Sequence, residues 1–167
     1  SGSAEAAEAT AAEIRALGRR AATLQADLTV EAETQTLLPA AADAMGAPIT
    51  VLINNASIFE YDNMETATRD SWDRHLESNL RAPFVLSQAL AAQMPPAAPD
   101  ENGEAQAQGL IVNMIDQRVL KPTPEFMTYT VAKMGLWALT RTSAQALAPH
   151  VRVNAIGPGP TMQGARQ

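Results

Sequence analysis

The sequence predicts an α/β fold in which a parallel β-sheet carries helices on both of its faces. Short apolar runs rich in β-branched residues alternate along the chain with longer helical patterns, and parallel strands require such helical crossovers. Asparagine or aspartate stands at or just after the ends of three of the predicted strands. Because ligands of parallel sheets bind beyond the carboxyl ends of the strands, we expect these polar side chains to share one binding edge.

The composition narrows the class of protein. The chain has 167 residues, of which 46% are hydrophobic and 18% charged, and this predicts a single globular domain over residues 1–167. A net charge of −6 without a basic stripe disfavours nucleic acid as a partner. The absence of cysteine excludes disulfides and thiolate chemistry and favours a cytoplasmic location. No apolar run reaches the ~20 residues of a membrane-spanning helix, so no membrane partner is expected.

The chain begins with a predicted helix and a predicted strand. Residues 3–17 are rich in Ala, Glu and Leu, and Ser3 is in position to cap this helix. Residues 22–26 are a short strand candidate, which ends at Asp27 and Leu28.

A second helix and a second strand follow. The helix is predicted over residues 30–45, with Thr29 as its cap and Gly46 at its end. Residues 49–53 are apolar and β-branched, which is typical of a strand buried on both faces. That run ends in the polar sequence NNAS at positions 54–57.

The second half of the chain continues the alternation. The Pro-rich, polar and aperiodic residues 95–108 are expected to form an exposed loop within the domain. The other patterns predict helices over 66–80, 82–94 and 129–148, and strands over 110–114 and 151–156.

Tyr129 and Lys133 form the first candidate chemical pair. They are one helical turn apart, so both side chains lie on the same helix face. A free phenol titrates near pH ~10, and a neighbouring ammonium should lower that pKa and make the phenol a usable proton donor. Asp116 ends the strand before this helix, and we expect it to reach the same pocket. The alternatives are a packed ring with a solvated lysine stem, and an aspartate that caps its own turn.

Five short segments of the sequence occur in the order found in one enzyme family. The segments are Asp27-Leu28, NNAS at 54–57, Asn79 within ESNLRAPF, YTVAK at 129–133 and RVNAIGPGPT at 152–161. The chain therefore resembles the short-chain dehydrogenase/reductase family along most of its length. The resemblance implies a Rossmann-type, doubly wound parallel sheet and hydride transfer with a nicotinamide cofactor.

The resemblance also implies roles for individual residues. Tyr129 would donate the proton, Lys133 would bind the nicotinamide ribose, and Asn79 would hold a water molecule in a proton relay. Ser3 stands near the position where NADPH-preferring members contact the 2′-phosphate, although an N-cap explains it equally well, and NADP(H) is expected over NAD(H). Besides Tyr129 and Lys133, the cofactor contacts implied are Asp27, Leu28, Asn55, Ala56, Ser57, Pro158, Gly159 and Thr161.

Position 116 departs from the family pattern, because the family has serine there. A serine hydroxyl can donate a hydrogen bond to a substrate carbonyl oxygen, whereas an ionised aspartate can only accept one. Asp116 therefore suits a substrate that presents N–H groups, or it must itself be protonated. Pteridine reductases share this aspartate, and Phe59 stands where they have a phenylalanine that stacks on the pterin.

Three functions remain open at this point. The first is NADPH-dependent reduction of a C=N bond in a pterin or folate, as in the pteridine reductase-like members. The second is a general carbonyl reductase or alcohol dehydrogenase with a protonated Asp116. The third is a non-catalytic chain without a cofactor. Phe59 could equally be a loop aromatic that covers the core.

The glycine-rich turn that seats the cofactor pyrophosphate in the family has no counterpart in this sequence. The family strand order is 3-2-1-4-5-6-7, so the first two strands and the last would be missing. We therefore expect a gap of about 10 Å between the 22–26 strand and the 49–53 strand, and further residues before Ser1 and after Gln167. By the same resemblance, the helices over 82–94 and 129–148 would form a homodimer or homotetramer.

Overall fold

The computed structural model describes residues 2–159, and their side chains from residue 4 onwards. Helices and strands alternate in it as the sequence predicts. The helices are α1 (Gly2–Ala16), α2 (Glu31–Met45), α3 (Arg69–Leu76), α4 (Ala82–Gln93) and α5 (Met127–Leu147), with a π-helix at Glu77–Arg81 and a 3₁₀ turn at Gln117–Val119. The strands are β1 (Val51–Asn54), β2 (Ala98–Pro99), β3 (Ala105–Gln106), β4 (Gly109–Met114) and β5 (Val151–Ile156).

The main sheet is parallel, with the strand order β1-β4-β5. Val51 pairs with Leu110 across the first ladder, and Gly109 pairs with Val151 across the second. This is the order of neighbouring strands that the resemblance implies, and it confirms the predicted Rossmann-type α/β class. Strands β2 and β3 form a small antiparallel hairpin inside the predicted exposed loop.

The core lies between one face of this sheet and the helices. Ile111 of β4 and Val153 of β5 pack with Leu90 of α4 and Leu38 of α2. Burial alternates along β4 and along the first residues of β5, as expected of strands covered on one face. Within the described residues, no helix has the length and apolar character needed to cross a membrane.

Strand β1 differs from its prediction. Val51 is 50% exposed and Ile53 is 60% exposed, whereas Asn54 is buried. The prediction of a strand buried on both faces is therefore wrong for the part of the chain that the structure describes. Apolar, β-branched composition indicates a strand, but it does not show how many of its faces are covered.

The segment before α2 also differs. Residues 22–26 form no strand, since no described segment pairs with them, and a ladder needs a partner for its backbone groups. Thr29 does not cap α2; Val30 occupies the cap position, and the Thr29 amide and hydroxyl both donate to Asp27 Oδ1, at 2.9 and 2.7 Å. Gly46 ends α2 in the left-handed conformation, as predicted.

The helix predicted over 66–80 begins later and changes its type. It starts after Thr68, which forms a capping box with Ser71, and becomes a π-helix beyond Leu76. A π-helix is frequent at functional sites, and this one carries Asn79.

Candidate active site

The carboxyl end of β4 and the first turns of α5 bring three candidate residues together. The Tyr129 hydroxyl donates to Asp116 Oδ2 at 3.0 Å. Lys133 Nζ donates to the carbonyl oxygen of Met114, the last residue of β4, at 2.8 Å. Tyr129 is only 5% exposed and Lys133 only 3%. A strand end and a helix start thus supply a phenol, an ammonium and a carboxylate to one place.

The Asp116 carboxylate accepts hydrogen bonds both from its own turn and from the candidate site. Its Oδ1 accepts the backbone N–H of Arg118 at 2.8 Å, which caps the 3₁₀ turn. Its Oδ2 accepts the Tyr129 hydroxyl. The alternative of a turn-capping aspartate is therefore correct for one oxygen, while the other oxygen faces the phenol. Both oxygens of Asp116 therefore act as hydrogen-bond acceptors in this structure.

The electrostatics of Tyr129 differ from the expectation. Burial raises the pKa of Tyr129, and the charge of Asp116 and its hydrogen bond raise that pKa further. The charge of Arg118 and a hydrogen bond with Ser57 oppose the shift in part. The expected lowering of this pKa by Lys133 is wrong here, because Lys133 Nζ bonds to Met114 while the carboxylate stands against the phenol. The phenol therefore keeps its proton at neutral pH.

The buried ammonium group of Lys133 has more N–H groups than it uses in hydrogen bonds to the described residues. Burial lowers its pKa to about 8, although the charge of Asp116 acts in the opposite direction. Of its three N–H groups, one bonds to Met114 within the described residues. The remaining donors fit two neighbouring hydroxyls, such as those of a ribose. The residues present therefore fit the nicotinamide-ribose end of a dinucleotide.

Replacing Lys133 by methionine should raise the free energy of unfolding at neutral pH by roughly 1–3 kcal/mol, because the buried charge is costly. Between the folded pKa of about 8 and the ordinary value of 10.5, the unfolded chain binds more protons at this site. The wild type should therefore gain stability as the pH rises through that range, and the variant should lack this gain. Urea unfolding at about pH 7 and about pH 9.5 measures both effects.

The matched control for this stability measurement is Lys121→Met, which removes a lysine that is exposed in the loop before α5. We expect the control to keep the wild-type pH dependence. A Lys133→Met protein that is no more stable than the wild type at pH 7 would contradict the buried-charge argument.

Asn79 lies buried in the π-helix and holds the backbone after β1. Its Oδ1 accepts the Ile58 N–H at 2.9 Å, and its Nδ2 donates to the Ile58 carbonyl at 2.8 Å. This amide therefore fixes the chain immediately before Phe59. The proposed role of Asn79 in holding a water molecule stays a prediction.

Aromatic rings form one wall of the site. The Phe59 ring stacks on Phe126 with centroids 4.5 Å apart and meets the Tyr129 ring edge-on at 4.7 Å. Phe59 is 48% exposed, whereas Phe126 is buried. The Arg118 guanidinium lies 4.9 Å from the centroid of Phe126. The sequence analysis missed Phe126 and Arg118, because loop residues carry no periodic signal.

A buried hydrogen-bond network supports the start of α5. The Thr128 N–H donates to Asp62 Oδ1 at 3.1 Å, and the Thr128 hydroxyl donates to Asp62 Oδ2. His75 Nδ1 lies 2.7 Å from the same hydroxyl, and His75 Nε2 accepts the Glu60 N–H at 3.2 Å. The network joins the segment after Phe59 to the residue before Tyr129. No sequence pattern indicated it, since its members are far apart in the chain.

The remaining predicted cofactor residues that the structure describes lie outside the helices and strands, after β1, after β5 or before α2. Pro158 and Gly159 follow β5, and a Cβ added to the adjoining Gly157 would lie 3.9 Å from the Asp116 carbonyl carbon, so this turn adjoins Asp116. Thr161 and the side chain of Ser3 fall outside what the structure describes. The other predicted contacts follow β1 or precede α2, where the structure places Asn55, Ala56, Ser57, Asp27 and Leu28.

Comparisons with known proteins agree with this architecture. A probable galactose dehydrogenase, GalD, from Rhizobium meliloti is 36% identical over 137 residues, which cover 81% of this chain and 50% of that protein. FolM alternative dihydrofolate reductase 1 from Brucella canis, crystallised with NADP, is 42% identical with a TM-score of 0.85, over 96% of this chain and 61% of that one. A blue fluorescent protein from a metagenomic library, in complex with NADPH, is 30% identical with a TM-score of 0.86, over 99% of this chain and 66% of that one.

The chain thus spans about half the length of the curated relatives that it matches. The sequence profile of the family described as short chain dehydrogenase matches residues 1–167. From that match and from the solved structures that share its fold, the protein belongs to the short-chain dehydrogenase family.

Proposed function

We propose that the protein is an NADP(H)-dependent reductase that transfers hydride to a C=N bond of a pterin or folate-like substrate. The observation that carries this proposal is the hydrogen bond between the Tyr129 hydroxyl and the Asp116 carboxylate. A carboxylate at this position accepts hydrogen bonds and repels a carbonyl oxygen, so it favours substrates rich in N–H groups. The amino-substituted ring of a pterin has that character.

Two further observations support the substrate class. Phe59 presents a half-exposed ring beside Tyr129, against which a flat heterocycle can stack. The similarity to a FolM dihydrofolate reductase extends over nearly the whole chain. The NADP and NADPH complexes among the similar structures support NADP(H) as the cofactor.

The nicotinamide, when bound, supplies the hydride. Tyr129 holds the proton at its hydroxyl and passes it to the nitrogen of the C=N bond as that nitrogen gains an electron pair. Its raised pKa keeps the phenol protonated until then. Asp116 orients both the phenol and the substrate N–H groups, and the buried ammonium of Lys133 would hold the nicotinamide ribose. After transfer, the charge of the nearby Arg118 guanidinium offsets part of the new charge on the phenolate.

Assembly as a homodimer or homotetramer through the helices over 82–94 and 129–148 belongs to the same proposal. Val131 and Met134 on α5 are both partly exposed apolar side chains, which suits a helix that packs against another copy.

A panel of substrates, each assayed with NADPH, tests the proposed function. We expect dihydrobiopterin or dihydrofolate to oxidise NADPH, and simple ketones to do so at least tenfold more slowly, because an anionic Asp116 repels their oxygen. NADPH absorbance measures the rate, and NADH in place of NADPH tests the cofactor preference. Reduction of ketones without reduction of pterins would contradict the proposal.

The second candidate is a carbonyl reductase or sugar dehydrogenase, which the similarity to a galactose dehydrogenase favours. It requires Asp116 to donate a hydrogen bond, whereas both Asp116 oxygens accept one here. A chain that binds no cofactor is the third alternative. Calorimetric titration with NADPH separates it from the other two, since heat of binding would exclude it.

A further inference from the structure

Arg118 is a cation beside the candidate site. In the mechanism proposed above, it makes no contact with the substrate. Its guanidinium carbon lies 4.9 Å from the Phe126 ring centroid and 5.8 Å from that of Phe59. These cation–π contacts hold the guanidinium beside the aromatic wall. Its backbone N–H donates to Asp116, so the two residues share one turn.

Among the described residues, no side chain or backbone carbonyl accepts a hydrogen bond from the Nε of this guanidinium, and that Nε is buried. None of the ion pairs within residues 2–159 includes it, although four other arginines are paired. Leaving a charged donor unpaired in a partly buried place is costly, and a bound acceptor would remove that cost.

The substrate side of the argument rests on the proposed function. Asp116 offers acceptors and Arg118 offers donors from the same turn, so the pair is complementary to a ring edge that carries both an N–H group and a carbonyl oxygen. An oxo-pterin has a ring carbonyl next to the nitrogen of its reducible C=N bond. Arg118 also lowers the pKa of Tyr129, which agrees with a guanidinium close to the phenol.

We infer that Arg118 is a specificity-determining residue that donates hydrogen bonds to the ring carbonyl oxygen of the substrate, beside the nitrogen that Tyr129 protonates. The residue therefore selects 4-oxo pteridines over 4-amino pteridines, in which an N–H group replaces the acceptor oxygen. The 4-amino group and the guanidinium are both hydrogen-bond donors, so no hydrogen bond would form between them.

Folate and aminopterin test this selection, because they differ at ring position 4 in an oxygen or an amino group. Calorimetry with the NADP-bound protein should show folate binding at least tenfold more tightly than aminopterin. In Arg118→Met the ratio should fall to about one, since a lost charged hydrogen bond corresponds to roughly tenfold to a hundredfold in affinity. Arg69→Met, at an exposed arginine of α3, is the matched control and should keep the wild-type ratio.

The outcomes separate the two proposals. If the wild type binds neither compound and reduces no dihydropterin, the proposed function and this inference both fall. If the wild type reduces dihydrofolate but Arg118→Met keeps the wild-type ratio, the inference alone falls. Should Arg118→Met lose its native circular dichroism, Arg118→Lys decides: it keeps the charge but loses the planar fork, so the ratio should still drop severalfold, and an unchanged ratio would overturn the inference.

Discussion

Replacing Tyr129 by phenylalanine should lower turnover of a dihydropterin by roughly 10²–10⁴-fold, the range that general acid catalysis contributes. The substitution removes the hydroxyl that donates to Asp116 and, by our proposal, to the substrate nitrogen. The ring should keep its edge-on contact with Phe59, so the wall of the site remains in place. Lys133 is untouched, and we therefore expect the affinity for NADPH to stay nearly unchanged.

Two measurements separate loss of the proton donor from loss of the site. Single-turnover rates report the chemical step, and calorimetry reports the affinity for NADPH. Thr36→Val is the matched control, because it removes an exposed hydroxyl of α2 that bonds only locally to the Glu33 carbonyl. Unchanged turnover in the phenylalanine variant would remove Tyr129 from the mechanism.

Local patterns predicted the elements whose structure depends on local residues. Strands β4 and β5 and helix α5 lie within two residues of their predicted bounds, because periodic apolar residues and turn signals specify them. Residues 22–26 carry the composition of a strand, yet they form none, since a ladder depends on a partner elsewhere in the chain. The exposed face of β1 was unpredictable for the same reason: covering a strand is a property of its neighbours.

In the candidate site, too, local sequence patterns predicted some features, and others depend on residues elsewhere in the chain. Helical spacing and strand ends predicted that Tyr129, Lys133 and Asp116 would meet, and the structure brings them together. Spacing does not show which charge lies nearer the phenol, so the direction of the Tyr129 pKa was predicted wrongly. The contact of Asp62 with Thr128 spans 66 positions, and no short pattern could have indicated it.

Replacing Asp116 by serine should shift the preference from pterins towards ketones. The carboxylate accepts hydrogen bonds, whereas a serine hydroxyl can donate one to a carbonyl oxygen. We expect the ratio of kcat/KM for dihydrobiopterin to that for a simple ketone to fall by roughly tenfold to a hundredfold, the worth of a charged hydrogen bond. Asp43→Ser, at an exposed aspartate near the end of α2, is the control and should leave the ratio unchanged.

The same substitution makes a separate prediction about pH. Burial raises the pKa of Tyr129, and the Asp116 carboxylate raises it further, so removing the carboxylate should lower that pKa towards its ordinary value of 10.0. A phenol ionises as the pH rises through its pKa, and the ultraviolet absorbance of the Tyr129 phenolate should therefore appear at a lower pH in Asp116→Ser than in the wild type. The stability that the raised pKa contributes is present below pH 10 and lost above it, and this contribution should shrink as well. Asp116→Asn, which keeps the shape but not the charge, should move the phenolate titration in the same direction. A titration that is unmoved in both variants would show that the carboxylate does not control the phenol.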